Sequence, residues 1–446
     1  MMTLWIRDPL GILADNAARG IVVEGGTIIE CVPRGEVPVT RVDEVFDASR
    51  HVVLPGLINA HHHFYQTLTR TYPPALSKSL FGWLTTLYPV WAGLTPENLR
   101  LAARLAYVEL LLSGCTTASD HHYVFPEGLE AAIDIEVEEA EALGIRVVLT
   151  RGAMSLSAED GGLPPKSVVQ RDDAILADFE RVVARHHQTG PGAMVQIALA
   201  PCSPFSVTRE LMRETVGLAE RLNVRLHTHL AETRDEDAFC LERFGCRPLD
   251  YLEDVGWLTD RVWLAHGIHF NDSEVARLGR AGTGICHCPT SNMIISSGFC
   301  RVGDLEAAGV PVGLGVDGAA AQDSSNLIQE VRQGFLLQRV NKGVEAVSHL
   351  DALRWATKGS AACLGRADLG EIAPGRAADV AMFRLDEPRF SGHGDPLAAI
   401  VICGAHKADR VMVNGRWAVV DGAIPGLDME ALLAAHHRAA REMQRI

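Results

Sequence analysis

The alternation of short apolar segments with helical patterns through the middle of the chain constrains the fold more than any other feature. The predicted strands are residues 54–61, 116–120, 145–150, 195–200, 224–229, 262–266, 282–286 and 312–317. Helical periodicity separates them, and starts such as Thr95-Pro96-Glu97 fit helix N-caps. Eight strands that alternate with helices over about 300 residues predict a (β/α)8 barrel. An open doubly wound sheet is the alternative, but no Gly-x-Gly-x-x-Gly motif opens the first helix.

Both ends of the chain carry short β-rich segments that do not resemble a barrel repeat. Residues 20–29 predict a hairpin that turns at Gly25-Gly26, and residues 378–383 and 410–416 are similar segments near the C-terminus. Because neighbouring chain ends make a domain insertion easy to accommodate, we expect both ends to build one small β-domain. The expected division is a β-domain of residues 1–53 plus 368–446 and a catalytic barrel of residues 54–367.

The charge balance and the cysteine pattern exclude several classes of protein. The 446 residues carry 41 basic and 56 acidic side chains, a formal charge of −15, which disfavours a nucleic-acid or anionic-membrane partner. The N-terminal residues lack a basic start followed by an apolar run, and no stretch reaches transmembrane length, so we expect a cytoplasmic protein. Ten scattered cysteines are expected to stay reduced. Cys286-His287-Cys288 resembles half of a zinc knuckle, but no matching cysteine pair follows, and buried strand thiols are the preferred interpretation.

A His-x-His pair ends the first predicted strand. Alternate residues of a strand share a face, so the imidazoles of His61 and His63 can converge on one cation at the C-terminal end of that strand. Such a pair alone is weak support for a metal site, because histidine pairs are often packed or hydrogen-bonded. Three later strands also stop at ionisable residues, namely His229, His266 and Asp317. A satisfied buried polar group is the alternative for each, but a barrel enzyme collects its chemistry from these strand ends.

Four of these side chains make a suitable ligand set for one metal ion. They supply three imidazole nitrogens and one carboxylate oxygen, which suits zinc or ferrous iron and leaves a position for water. A cation there lowers the pKa of that water and so provides hydroxide inside the pocket. The predicted ligands are His61, His63, His229 and Asp317.

Three residues are predicted to act beside this metal. Asp317, bound through one oxygen, would take a proton from the water with the other oxygen. Glu232 lies three residues beyond His229, near the metal but not on it, and would carry protons to a ring nitrogen and a leaving group of the substrate. His266 would hydrogen-bond the hydroxide or the tetrahedral adduct, and a fifth metal ligand is its alternative role.

The order and the residues of these motifs resemble those of the amidohydrolase superfamily. Within it they resemble the mononuclear-metal deaminases and chlorohydrolases that act on purines, pyrimidines and triazines. The segments that carry the resemblance are residues 55–63, 229–232, 265–267, 316–318 and 370–379. The resemblance implies a distorted (β/α)8 barrel, a β-sandwich made from both chain ends, and one divalent metal ion, Zn²⁺ with Fe²⁺ as the alternative. It implies one metal rather than two, because residues 195–202 lack the lysine that bridges the binuclear members. It also implies a homo-oligomer, either a dimer or a larger assembly.

The long connection from His63 to Pro96 holds candidate substrate-binding residues. It exceeds the usual length of roughly two to six residues for a βα loop, and long loops over a barrel mouth serve as lids or binding surfaces. Its aromatic side chains, Trp91 among them, suit stacking on a flat heterocycle, although most of them are expected to pack the loop itself. Gln66 offers an amide that donates and accepts across a lactam edge. Cys202, after the fourth strand, is predicted to leave room for the substrate or to hydrogen-bond weakly to its edge.

Four further segments narrow the resemblance to the 8-oxoguanine deaminases. They are residues 61–70, 81–91, 119–123 and 200–207. The resemblance implies that hydroxide attacks C2 of 8-oxoguanine, that Glu232 protonates the adjacent ring nitrogen, and that ammonia leaves to give urate. His121 and His122 after the second strand are expected either to support this site or to be hydrogen-bonded structurally.

Two other hypotheses stay open. The first, in the same reaction class, is displacement of an amine or halide from a hydroxyatrazine-type triazine, or deamination of guanine or isoguanine. The second is a non-catalytic barrel in which the metal is only structural. Glu232 and His266 speak against the second, because they lie outside the four-ligand set and would have no structural duty toward the metal.

Overall fold

Strands and helices alternate through most of the chain, as the apolar periodicity predicts. The structure is a computed structural model that describes residues 2–322 and 324–445. In chain order its strands are β1 (Thr3–Arg7), β2 (Gly11–Ile12), β3 (Gly20–Glu24), β4 (Thr27–Cys31), β5 (Glu44–Asp47), β6 (His51–Pro55), β7 (Leu57–Asn59), β8 (His62–His63), β9 (Cys115–Ala118), β10 (His121–His122), β11 (Arg146–Ala153), β12 (Val195–Pro201), β13 (Leu226–Leu230), β14 (Val262–His266), β15 (Gly284–His287), β16 (Val312–Leu314), β17 (Asp317–Gly318), β18 (Val380–Arg384), β19 (Arg410–Val413) and β20 (Arg416–Val419). Its α-helices are α1 (Leu80–Trp91), α2 (Pro96–Leu112), α3 (Ala132–Leu143), α4 (Asp172–His186), α5 (Arg209–Leu222), α6 (Arg234–Phe244), α7 (Pro248–Asp254), α8 (Asp272–Ala281), α9 (Pro289–Ile294), α10 (Val302–Ala307), α11 (Leu327–Lys342), α12 (His349–Arg354), α13 (Ser360–Cys363), α14 (Pro396–Ile402) and α15 (Met429–Met443).

Eight parallel strands form a nearly closed barrel. Their order is β7-β9-β11-β12-β13-β14-β15-β16, and β10 adds to the end of β11. The first and last strands are linked by a hydrogen bond from the Ala60 amide to the Leu314 carbonyl at 2.9 Å. Beyond it, β8 and β17 pair in parallel, with Asp317 opposite His62. The predicted (β/α)8 class is therefore confirmed.

The first predicted strand, residues 54–61, is divided between two sheets. β6 pairs with β18 of the C-terminal region, and only β7 belongs to the barrel. Gly56 lies at the division, where a Cβ atom would come within 2.2 Å of the Thr116 hydroxyl oxygen on β9. Only glycine fits so close to the neighbouring strand, so the absence of a side chain here allows the chain to pass from one sheet to the other.

Strands from both chain ends build two further sheets. One has the order β4-β3-β1-β5 and the other β2-β6-β18-β19-β20. Side chains of the two sheets share a buried apolar cluster that includes Ile21, Val53 and Met382. The division into a separate β-sandwich domain of residues 1–53 plus 368–446 and a barrel of residues 54–367 stays a prediction.

A buried ion pair connects the barrel to the C-terminal strands. Arg146, the first residue of β11, is fully buried, and its Nη2 and Nε atoms lie 2.9 and 3.2 Å from the two carboxylate oxygens of Asp379. Asp379 also accepts a hydrogen bond from the Asn414 amide at 2.7 Å. This two-pronged contact fixes the start of a central barrel strand against the turn that follows β19.

Local signals explain where several helices begin. The Thr95 side chain accepts a hydrogen bond from the Asn98 amide, and Pro96 occupies the first position of α2, as predicted. Over the described residues, none of the helices has both the length and the apolar character needed to cross a membrane. All ten cysteines lie in the described part of the chain, and each is a free thiol there.

Candidate active site

The C-terminal strand ends bring the predicted metal ligands and proton carriers to one place. The pairing of β8 with β17 sets Asp317 beside the His-x-His segment, and the Asp317 amide donates to the His61 carbonyl at 3.1 Å. His229 lies in β13, and His266 is the last residue of the neighbouring strand β14. All of these side chains are buried, with His229 the most exposed at 8%.

The backbone is strained at three points of this cluster. Ala231, His266 and Asp317 have φ angles of +54°, +72° and +66°. Residues with a side chain rarely adopt this left-handed region, and each such position costs about 1–3 kcal/mol. Backbone strain of this kind is concentrated at functional sites, where the surrounding structure holds it in place.

The ring nitrogens and the carboxylate converge on one point. Nε2 of His61 and Nε2 of His63 each lie 3.3 Å from Oδ1 of Asp317. Nε2 of His63 also lies 3.2 Å from Nε2 of His229. These separations fit ligand atoms that surround a single ion at about 2.0–2.2 Å.

The hydrogen bonds on the outer side of the rings show that lone pairs face one another here. Nδ1 of His63 lies 2.8 Å from the His121 carbonyl oxygen, and Nδ1 of His229 lies 2.8 Å from the Cys202 carbonyl oxygen. A carbonyl only accepts, so each Nδ1 carries the proton and each Nε2 carries a lone pair. Two lone pairs at this separation repel each other unless a cation lies between them. The donor set therefore fits a divalent metal ion.

Asp317 is held as an anion by several neighbours. Its Oδ2 accepts a hydrogen bond from the Ser291 hydroxyl at 2.6 Å, and its Oδ1 accepts one from the Gly318 amide at 2.7 Å. Burial by itself would raise the pKa of this carboxyl. The neighbouring imidazoles of His61, His266 and His63 nevertheless hold that pKa well below its usual range.

Glu232 and His266 stand next to the converging atoms. Nε2 of His266 lies 3.6 Å from Oε2 of Glu232 and 3.9 Å from Oδ2 of Asp317. The Asn292 side-chain amide lies 3.1 Å from Nδ1 of His266 and donates to it, so that Nε2–H points toward the two carboxylates. Burial raises the pKa of Glu232 well above its usual range, and the nearby charges of Asp317 and Glu236 add to this effect.

A cavity opens onto this cluster, and about 380 Å³ of space free of protein atoms, including the solvent at its mouth, lies within it. One end is polar, and the remaining wall is largely apolar and aromatic, as is usual for a site that binds a small organic molecule. The lining residues are His63, Gln66, Leu80, Trp83, Leu84, Tyr88, Tyr123, Cys202, Phe205, His229, Glu232, His266, Ile295, Asp317 and Ala321.

Two of the three predicted substrate-binding residues line this cavity. Gln66 is buried, and its Nε2 has no hydrogen-bond partner in residues 2–322 and 324–445. Burial raises the pKa of the Cys202 thiol to about 12, so it faces the cavity as a neutral group. Trp91 lies elsewhere: its indole N–H donates to the Thr69 hydroxyl at 3.1 Å, and its ring packs 5.5 Å from that of Trp83.

The sequence offered the aromatic residues of the connection after His63 as a stacking surface and singled out Trp91, whereas Trp83 and Tyr88 are the ones that line the cavity. The connection after His63 contains helix α1, which places Leu80, Trp83, Leu84 and Tyr88 on the cavity wall. The i, i+3, i+4, i+8 spacing of these four residues is a sequence signal for one helix face, but Trp91 fits the same face, so the spacing alone does not separate it from them. Tyr123, which follows β10, had no comparable sequence signal.

His121 and His122 have different surroundings. His121 stacks on His229 with ring centroids 4.8 Å apart and donates from Nε2 to the Ala200 carbonyl at 2.9 Å. His122 is fully buried, and its Nδ1 lies 3.2 Å from a carboxylate oxygen of Glu136. The first residue therefore borders the predicted metal centre, and the second belongs to a separate buried cluster.

The barrel and its strand-end cluster of histidines and carboxylates define a known class of hydrolase. The chain belongs to the amidohydrolase family, which matches residues 52–418. It is 61% identical to the 8-oxoguanine deaminase of Pseudomonas aeruginosa, over 99% of each chain. It is 37% identical to the hydroxydechloroatrazine ethylaminohydrolase of Pseudomonas sp. (strain ADP), over 93% of this chain and 89% of that one. The atrazine chlorohydrolase of Arthrobacter aurescens TC1, whose crystal structure is complexed with zinc, superimposes with a TM-score of 0.92 at 30% identity, over 99% of this chain and 100% of that one.

Proposed function

We propose that this chain is a metal-dependent aminohydrolase that converts 8-oxoguanine to urate and ammonia. The observation that carries the proposal is the 61% identity, over 99% of the chain, to the 8-oxoguanine deaminase of Pseudomonas aeruginosa. The site supports it because neutral imidazoles and an anionic carboxylate converge at the polar end of a cavity suited to a small heterocycle. The reaction replaces the C–N bond to the amino group by a C–O bond from water.

The ligand set favours one divalent cation. His61, His63 and His229 would bind it through Nε2, and Asp317 would bind it through a carboxylate oxygen. Zinc is the favoured ion because the structurally similar atrazine chlorohydrolase is complexed with zinc, and ferrous iron is the alternative. When bound, such a cation lowers the pKa of a coordinated water toward neutrality.

The protein's own groups would then move the protons. Asp317 accepts a proton from the attacking water, and the Ser291 hydroxyl, 2.6 Å from its Oδ2, orients that carboxylate. Glu232 donates a proton to the ring nitrogen next to the reacting carbon and then serves the departing amine. His266 donates from Nε2 to the oxygen that gains negative charge, since the Asn292 amide fixes its tautomer.

The cavity wall would select a flat heterocycle with hydrogen-bonding edges. The Gln66 amide nitrogen and the Tyr88 hydroxyl are both buried, and neither has a hydrogen-bond partner within the described residues. A buried polar group without a partner is costly, so these two groups are suited to the polar edge of a bound substrate. Trp83 and Phe205 supply the aromatic surface beside them.

A substrate panel tests the proposal. We expect the purified zinc-loaded protein to release one ammonia per 8-oxoguanine and to give the ultraviolet spectrum of urate, with lower kcat/KM on guanine and isoguanine. Chelation should abolish the reaction, and added Zn²⁺ should restore it. A protein with its metal bound that turns over none of the amino-heterocycles would contradict the proposal and favour a structural metal.

A second candidate is hydrolytic removal of an alkylamine from a hydroxylated triazine. The 37% identity to the hydroxydechloroatrazine ethylaminohydrolase favours it. Hydroxyatrazine in the same panel distinguishes the two, because this candidate requires its kcat/KM to exceed that of 8-oxoguanine.

We also propose that the protein is a cytoplasmic homo-oligomer, a dimer or larger, with no nucleic-acid or membrane partner. The free thiols support a reducing compartment, and the −15 formal charge disfavours polyanions. Leu336 and Val340 lie one turn apart on α11 and are 37% and 81% exposed, which makes a small apolar patch suited to a second copy. Light scattering should give a multimer mass that Val340→Glu reduces.

A further inference from the structure

His227 is a buried imidazole that lies behind the predicted ligand His61. Its Nε2 lies 2.8 Å from Nδ1 of His61, and its own Nδ1 lies 2.8 Å from the Trp263 carbonyl oxygen. Both imidazoles are fully buried. The carbonyl only accepts, so Nδ1 of His227 carries the proton and Nε2 carries a lone pair.

The lone pair of His227 determines the tautomer of His61. An acceptor at this distance requires Nδ1 of His61 to be the donor, which leaves the lone pair of His61 on Nε2. That Nε2 has no hydrogen-bond partner among the described residues, and it lies 3.3 Å from Oδ1 of Asp317. The lone pair therefore faces the point where the other predicted ligands converge.

Trp263 contacts both His227 and the backbone next to His61. Its indole ring stacks on the His227 ring with centroids 4.4 Å apart and an interplanar angle of 18°. Its indole N–H donates to the Ala60 carbonyl at 3.1 Å, directly before His61 in the chain. The same tryptophan thus fixes both the orientation of His227 and the backbone that carries His61.

We propose that His227 is a positioning residue, which tightens metal binding by keeping His61 in the tautomer whose Nε2 lone pair faces the metal. The other two imidazoles, His63 and His229, donate instead to backbone carbonyls. Only the orientation of His61 can therefore be altered by a substitution at its partner. The inference rests on the proposed metal centre and is independent of the identity of the substrate.

Two amide variants separate the two hydrogen bonds of His227. In His227→Gln the side-chain amide reaches the position of Nε2 and can still accept from His61. In His227→Asn the shorter amide reaches only the position of Nδ1, so it keeps the contact to the Trp263 carbonyl and loses the one to His61. His287→Leu is the control, since His287 is fully buried and its ring nitrogens have no hydrogen-bond partner in the described ranges.

Metal affinity, measured without substrate, is the readout. The dissociation constant for Zn²⁺ is obtained by competition with a chromophoric chelator, and Co²⁺ absorption reports the geometry of the bound ion. Loss of a partner that orients a ligand typically weakens metal binding by about 10–100-fold, and we expect this loss in His227→Asn together with an altered Co²⁺ spectrum. We expect His227→Gln and His287→Leu to stay within about threefold of the wild type.

Equal affinity of the asparagine and glutamine variants would overturn the proposal, as would an equal loss in His287→Leu. Circular dichroism identifies the folded variants, and His227→Leu replaces the asparagine variant in the comparison if that one does not fold. Because no substrate is present, an inactive protein that shows the expected order of metal affinities would refute the proposed function and leave this inference intact.

Discussion

Two residues, Leu230 and Ala231, separate Glu232 from the predicted ligand His229. Ala231, with a φ of +54°, redirects the chain between them, and Oε2 of Glu232 comes to lie 3.6 Å from Nε2 of His266. The carboxyl group lines the cavity and is 4% exposed. This position suits a group that exchanges protons with a substrate and leaves the metal to other residues.

Glu232→Gln should therefore keep the metal and lose most of the rate. Proton transfer by a positioned side chain contributes about 10²–10⁴-fold, and an amide of the same shape cannot supply it. Steady-state kinetics with 8-oxoguanine and metal analysis of the same sample measure both effects. Glu242→Gln, an exposed change on α6, is the matched control and should behave like the wild type. Undiminished turnover in the Glu232 variant would remove this residue from the reaction.

Glu136 gives the protein a pH-dependent stability outside the active site. It is fully buried beside His122, and burial raises the pKa of its carboxyl from 4.5 to about 8. Between these two values the folded chain holds a proton that the unfolded chain releases. The stability contributed by this proton is complete below pH 4.5 and is lost as the pH rises through about 8.

The neutral variant Glu136→Gln should lose this dependence. Its melting temperature is expected to exceed that of the wild type by a margin that grows between pH 6 and pH 9, because no proton is lost. Thermal unfolding at a series of pH values measures the margin. Glu138 is an exposed neighbour on the same helix, and Glu138→Gln should change the melting temperature equally at pH 6 and pH 9. Parallel curves for Glu136→Gln would show that its carboxyl is not neutral in the folded protein.

At the level of elements, helix α1 decides which aromatic residues meet the substrate. Trp83 lines the cavity, whereas Trp91, about two turns further along the helix, packs behind it against Tyr65 with ring centroids 5.3 Å apart. Trp83→Ala should raise KM for 8-oxoguanine, since a stacking contact with a base is worth about 1–3 kcal/mol. Trp91→Phe should lower the melting temperature and leave KM unchanged. The reverse pattern would mean that the predicted role of Trp91 is correct.

The sequence predicted the strands better than this helix. Strand ends such as His266 and Asp317 are visible in the sequence because an apolar run stops at an ionisable residue. Helix α1 is harder to see, because its N-cap Ser79 makes no side-chain capping bond and Pro89 lies inside the helix. The division of the first predicted strand at Gly56 also escaped prediction, since it depends on the closeness of Thr116, which is distant in sequence.

The residues of the site also differ in how far the sequence predicts them. The predicted ligands could be found from strand ends alone, whereas their supporting residues could not. Ser291 and Asn292 on α9 hold Asp317 and His266, and His227 holds His61. These contacts depend on how side chains of different strands pack, which no local pattern contains.

For the whole molecule, the Arg146–Asp379 pair is the contact whose loss should cost most. Asp379→Ala leaves a fully buried guanidinium without its carboxylate, and breaking such a pair typically costs about 3–5 kcal/mol. Urea denaturation should show this loss, with kcat/KM of the folded protein unchanged because Asp379 is not among the described residues that line the cavity. Asp386→Ala, which breaks the ion pairs of a 41% exposed carboxylate with Arg50 and Arg384, should cost about 1 kcal/mol or less. Equal effects would mean that the buried pair adds no specific stability.

The place where β8 meets β17 has a mechanical consequence. The circumference of the barrel is completed there by few backbone hydrogen bonds, among them those of the Ala60 and Asp317 amides. A cation shared by His63 and Asp317 would cross-link the two sides of this seam in addition to its chemical role. Chelation should accordingly speed amide hydrogen exchange at Ala60 and Asp317 while strands on the opposite side of the ring keep their protection. If chelation changes the exchange rates equally all around the barrel, or not at all, closure of the barrel is independent of the metal.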